Sequence, residues 1–69
     1  MQLSARNQFK GTIVSIKLGG VMAEVIVDIG GGNQIVSALT RGSVESLGLQ
    51  EGMEVVAIIK STEVIIGKE

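Results

Sequence analysis

Cysteine, histidine, proline, tryptophan and tyrosine are absent from this chain, and phenylalanine occurs once, as Phe9. Each absence removes a class of explanation. Without cysteine no disulfide braces the fold, and without cysteine or histidine a zinc site of sulfur and nitrogen ligands is excluded. The same gaps remove the usual nucleophile–base pairs, so no enzymatic constellation is visible. One aromatic ring and a net charge of −1 speak against a nucleic-acid binder, which combines a basic excess with several stacking faces. No run approaches the roughly 18 apolar residues of a membrane span. The opening stretch to Gly11 is polar, carries Arg6 and Lys10, and lacks the apolar core of a secretion signal. The expectation is a cytoplasmic protein that touches neither nucleic acid nor membrane.

What is present is greasy for its size. The chain has 69 residues, 45% of them hydrophobic. A domain this small buries only about 60% of the surface its unfolded chain exposes. Small unstapled scaffolds often gain stability by oligomerising, so part of the apolar surface is expected to lie against other subunits.

Val, Ile and Thr recur in short runs punctuated by glycine, the pattern of a small sandwich or barrel. The first strand is predicted from Gln8 to Leu18, with Thr12, Val14, Ile16 and Leu18 on one face and Ile13, Ser15 and Lys17 on the other. Gly19-Gly20 is predicted as a tight turn relying on glycine's access to positive φ. The second strand runs from Val21 to Ile29, with Ala23, Val25, Val27 and Ile29 on a dry face opposite Glu24 and Asp28. The glycines Gly30 to Gly32, with Asn33, turn the chain into a third strand, Gln34 to Thr40. They match neither a Walker loop nor a dinucleotide fingerprint, because no Gly-Lys-Ser/Thr and no helix follow.

Between Arg41 and Leu47 the alternation stops. Val44 and Leu47 stand three apart, Thr40 or Ser43 offers a cap and Gly48 a stop, so a short helix is predicted. A fourth strand follows, Glu54 to Lys60. Its unbroken run Val55-Val56-Ala57-Ile58-Ile59 implies cover on both faces. Ser61-Thr62 turns into a fifth, Glu63 to Gly67. Five strands with one short helix between the third and fourth describe an all-β, OB-type barrel, with a small SH3-like barrel as the alternative. Closure would remove free strand edges.

Two polar segments stand out: Ser4-Ala5-Arg6-Asn7-Gln8, and Lys60-Ser61-Thr62 after the most apolar strand. Both combine rotatable hydroxyls with a fixed positive charge, and neither Arg nor Lys accepts a hydrogen bond. A hollow lined by such groups favours an anion that carries no proton. The plain alternative is that these residues are solvated boundary markers and turn formers.

The run Ser4-Ala5-Arg6-Asn7-Gln8 with Lys10-Gly11 resembles the opening of the molbindins, small molybdate-binding proteins. The resemblance continues through Ala23-Glu24-Val25, Gly31-Gly32-Asn33, Ser43-Val44-Glu45 with Leu47-Gly48, Glu51-Gly52 and Lys60-Ser61-Thr62. It spans essentially the whole chain. It implies one OB-type domain with no cofactor of its own, binding molybdate or tungstate at interfaces of a homohexamer built as a trimer of dimers. Carried over residue by residue, it implies an oxyanion site of Ser4, Ala5, Arg6, Ser43, Lys60 and Ser61, with Thr40 as a further hydroxyl. Arg6 and Lys60 are expected to come from different protomers. It also implies a second site near a symmetry axis, fed by backbone donors of Gly19, Gly20 and Val21. The Gly19-Gly20 pair departs from the single glycine usual there. A nucleic-acid-binding OB or SH3-like module and a structural assembly domain are the competing readings.

Overall fold

The computed structural model describes all of residues 1–69. Four antiparallel strands form one curled sheet in the order β3-β2-β1-β4. They are β1 (Asn7–Leu18), β2 (Met22–Gly30), β3 (Asn33–Thr40) and β4 (Glu54–Ile59), with the helix α1 (Arg41–Leu47) between β3 and β4. The fold is all-β with one short helix where the sequence places it, but it has four strands, not five. Residues Ser61–Glu63 form a single 3-10 turn and the chain beyond has no regular structure. A strand exists only when its backbone groups find a ladder. The segment from Glu63 to Gly67 has none within its own chain, so the barrel stays open and β3 and β4 each keep a free edge.

β1 organises the sheet. Its first half pairs with β4, from Asn7 opposite Ile59 to Thr12 opposite Glu54. Its second half pairs with β2, from Thr12 opposite Asp28 to Leu18 opposite Ala23. The β2 register slips between Ile13 and Ser15, so Val14 is an extra residue. This bulge overturns the predicted faces. A period of two would put Ile13 and Ile16 on opposite sides, but one inserted residue restores them to the same side. Ile13, 1% exposed, joins Ala23, Val25, Val27 and Val44 in the core, with Ile16 packed against it, while Val14 faces outward. The backbone of Ile13 is tied to the turn before β4: its N–H donates to Met53 O at 3.0 Å, and Gly52 N–H donates to its carbonyl at 2.8 Å.

The turns follow their residues, with one exception. Gly30 pairs with Asn33, leaving Gly31 and Gly32 as a two-residue loop at φ 63° and 78°, the sign such a hairpin requires. Gly19 and Gly20 do not take positive φ, contrary to the sequence expectation. The connection is three residues long, and Gly19 serves clearance instead: a Cβ there would lie 2.8 Å from Met22 O. α1 starts on Thr40, whose Oγ1 accepts from Ser43 N–H at 3.0 Å, and ends on Gly48 at φ 63°. Val44 is its one buried side chain.

Five buried side chains make a thin core. The chain exposes 5464 Å², whereas a compact monomer of 7.2 kDa exposes about 4,100 Å². On the concave face between β3 and β4 an apolar hollow of about 800 Å³ stands open, walled by Val25, Ile35, Leu39, Leu47, Val55 and Ile59 among others. Within the single chain β4 is only half-buried and Ile58 on it is exposed, so the cover expected on its second face is not supplied by this chain. No helix is long and apolar enough to cross a membrane.

Gly11 leaves no room for a side chain against β2. A Cβ there would meet Asp28 O at 2.5 Å and Val27 Cγ1 at 2.6 Å, whereas one at Gly20 meets nothing within 4 Å. Gly11→Ala is expected to cost about 1–3 kcal/mol, the usual penalty of overpacking, and Gly20→Ala less than about 0.5 kcal/mol. Urea unfolding of both variants checks the contrast.

Candidate oxyanion site

The candidate residues separate into two groups at opposite ends of β1. The first lies where β1 begins. The last β1–β4 pair is Asn7 with Ile59, so Arg6 and Lys60 stand one step beyond it, their Cα atoms within about 13 Å by chain geometry. Arg and Lys side chains are long enough to converge on an ion across that span. Ser4 and Ala5 precede Arg6, and Ser61 opens the 3-10 turn after Lys60, where Glu63 N–H donates to Lys60 O at 2.9 Å. One chain thus places both cations at the same end of the sheet, whereas the sequence reading takes them from two protomers.

Arg6, Lys60, Ser4 and Ser61 are exposed, and Ala5 is half-buried. The chain's single ion pair joins Arg41 to Glu45 at 3.0 Å, so neither Arg6 nor Lys60 is neutralised by a carboxylate. Gln8 fixes the segment ahead of the strand: its Nε2 donates to Ala5 O at 2.6 Å.

The second group lies where β3 ends and α1 begins. Thr40 pairs with Met22, at the Leu18 end of β1, about 36 Å of strand contour from Asn7. Thr40 Oγ1 and Ser43 Oγ are 2.7 Å apart. That bond uses one of their two hydroxyl protons, and the cap uses only acceptor capacity. One O–H donor therefore remains for a ligand whichever hydroxyl donates. No hydrogen bond links this group to the first.

Gly19, Gly20 and Val21 sit beside the second group, clamped by Arg41. Its backbone N–H donates to Val21 O at 2.7 Å and its Nη1 to Gly19 O at 3.2 Å, while its Nε holds Glu45. Two carbonyls of the turn are thereby occupied. The N–H groups of Gly20 and Val21 make no turn or loop hydrogen bond.

Sequence reasoning assigns no role to Gln8 or Arg41. Gln8 stands inside the quoted motif, but its reach back to Ala5 depends on β1 already being paired. Arg41 and Gly19 are 22 residues apart, and nothing local announces their contact.

Comparison with known proteins agrees with this architecture. The TOBE domain family profile matches residues 3–66. The chain is 53% identical over 66 residues to Molybdenum-pterin-binding protein 1 of Clostridium pasteurianum, covering 96% of this chain and 97% of that one. Its structure is similar to that of MopII from Clostridium pasteurianum, with a TM-score of 0.91 and 51% identity over 97% of this chain and all of that one. It is also similar to the cytoplasmic molybdate-binding protein ModG solved with molybdate bound, with a TM-score of 0.89 and 43% identity over 94% of this chain and 46% of that one. With the profile matching residues 3–66 and the structure superposing on MopII at a TM-score of 0.91 over 97% of this chain, the chain belongs to the TOBE domain family, in its molbindin branch.

Proposed function

We propose that this chain binds molybdate, and tungstate with it, at sites completed between copies of itself, and that its task is storage and buffering of the oxyanion rather than catalysis. The observation that carries the reading is the split donor set. Ser4, Ala5, Arg6, Lys60 and Ser61 gather at one end of β1, and Thr40 and Ser43 at the other. A second copy turned against the first supplies the missing half. The molybdenum-related names of the relatives and the molybdate held by ModG support the choice of ligand. A cytoplasmic location goes with the same reading, as for ModG.

The donor chemistry suits the ion. Molybdate and tungstate are unprotonated tetrahedral dianions at neutral pH. Arg6 and Lys60 supply charge, and charge-assisted hydrogen bonds are roughly twice as strong as neutral ones. Ser4, Ser61 and the Thr40–Ser43 pair supply directional O–H donors. Phosphate keeps at least one proton at neutral pH; Arg6 and Lys60 cannot accept it, and a hydroxyl that turns to accept it gives up its own donation to the ion. Sulfate has no such proton, and its smaller size is what separates it.

The unpartnered apolar surface supports assembly. Ile65 and Ile66 are 92% and 86% exposed, at the end of a chain whose concave hollow stands open. The excess of about 1,300 Å² over a compact monomer exceeds the roughly 800 Å² that each partner buries in a standard stable interface. Seating Ile65 and Ile66 on a neighbour contributes about 1.5–3 kcal/mol for each side chain fully buried. A hexamer arranged as a trimer of dimers is the assembly proposed.

Two measurements test this reading. Because ligand bridging copies stabilises the folded assembly, molybdate at 100 times its Kd adds about 2.7 kcal/mol per site. Molybdate and tungstate are expected to raise the melting temperature where equimolar phosphate does not; equal shifts from all three contradict donor-only selectivity. In sedimentation, the wild-type chain is expected to run as an oligomer and the double variant Ile65→Asp, Ile66→Asp as a folded monomer. An unchanged sedimentation coefficient in the double variant contradicts a role for this segment in assembly.

A further inference from the structure

The geometry points to Gln8 as a positioning residue that sets selectivity between oxyanions by occupying the Ala5 carbonyl, the backbone acceptor inside the Ser4–Arg6 donor segment. The inference rests on the reading of Ser4–Arg6 and Lys60–Ser61 as half of an oxyanion site, and goes beyond it by assigning a residue outside the donor set.

In the segment Ser4-Ala5-Arg6, the charged and hydroxyl side chains donate. The Ala5 carbonyl lies between the Ser4 hydroxyl and the Arg6 guanidinium along the chain, and it is an obligatory acceptor. Left free, it would offer a protonated oxyanion a strong acceptor, which Arg6 and Lys60 cannot. In the structure it is not free. The Gln8 carboxamide reaches back three residues and donates to it at 2.6 Å. The peptide plane sets a second consequence. In a trans peptide the carbonyl and the following N–H point in opposite directions. Turning the Ala5 carbonyl toward Gln8 therefore turns the Arg6 N–H away from Gln8. That N–H makes no hydrogen bond outside the regular elements and is left as a backbone donor. One side-chain bond thus hides an acceptor and presents a donor.

The position of Gln8 suits the task. Its backbone is held in the β1–β4 ladder opposite Ile58, so the base of its side chain is fixed. Ser4 to Arg6 precede the strand and have no ladder of their own. Gln8 is exposed and outside the core, so its replacement is compatible with folding.

The test is calorimetric titration of the full-length wild type, Gln8→Met and Gln8→Lys with molybdate, sulfate and phosphate. It is run at mildly alkaline pH, where phosphate is a dianion that keeps one proton. Methionine preserves length and removes the donor, whereas lysine restores a donor. The preference for molybdate over phosphate is expected to fall about tenfold in Gln8→Met, the scale of one net hydrogen bond, and to recover in Gln8→Lys. The preference for molybdate over sulfate is expected to hold in all three, because neither ion has a proton to offer the uncovered carbonyl. Parallel losses for all three ions in Gln8→Met reduce Gln8 to a structural prop and overturn the proposal; unchanged affinities overturn it equally. Should Gln8→Met not fold, Gln8→Leu also removes the donor without adding charge, and the same fall in preference is expected of it. A wild-type chain that binds no molybdate overturns the underlying site reading, a result seen before any variant is compared.

Discussion

β1 is longer than either of its partners can cover, and most of the structure follows from how that is resolved. Twelve residues are shared between β4 at the first half and β2 at the second. The extra residue at Val14 bends the strand where pairing passes from one partner to the other. A bulge raises local twist and curls the sheet, which sets Ile13 and Ile16 on the concave side with Ala23, Val25 and Val27. The same strand separates the two groups of candidate donors. On the reading proposed above, a second copy brings the Thr40 end of one chain to the Lys60 end of another.

The chemistry of the site is then a matter of which groups are withheld. Positive charge at Arg6 and Lys60 attracts any anion, and discrimination has to come from elsewhere. At the Thr40–Ser43 cap one hydroxyl proton stays free while two of the four lone-pair sites are engaged. The Ala5 and Gly19 carbonyls each already accept from a side chain, Gln8 and Arg41 respectively. A surface prepared in this way suits a fully deprotonated tetrahedral ion and leaves a protonated one with an unmatched group, at a cost of the order of 1–3 kcal/mol.

Much of the fold is legible in the residues. β2 alternates cleanly, and its dry face is the one the structure buries. α1 is announced by Thr40 and closed by Gly48, both where expected. The bulge is not legible, because Ile13, Val14 and Ile16 are all apolar and either parity gives a plausible face. The fifth strand is misread for a related reason. Residues from Glu63 to Gly67 have strand-forming composition, but composition cannot supply a ladder partner, and none lies in the same chain. Gly19-Gly20 reads as a positive-φ turn, yet the need at Gly19 is clearance from Met22 O. At the site, the donor types are legible from the residues, whereas their grouping came from family resemblance. The split between two ends of β1 required the register. The contacts of Gln8 and Arg41 are products of folding, with no periodicity to mark them.

The account turns on two chains contributing to one site. Its most direct test uses Lys60→Ala, which damages the first group, and Ser43→Asp, which sets a carboxylate in the second. Each variant alone is expected to bind little molybdate, since every site in its assembly carries the lesion. Co-expressed, so that both occur in one oligomer, the two are expected to recover a fraction of wild-type sites, read as high-affinity stoichiometry by calorimetry. Mixed oligomers with no recovered sites would mean that both groups of each site come from one chain, and would contradict the account.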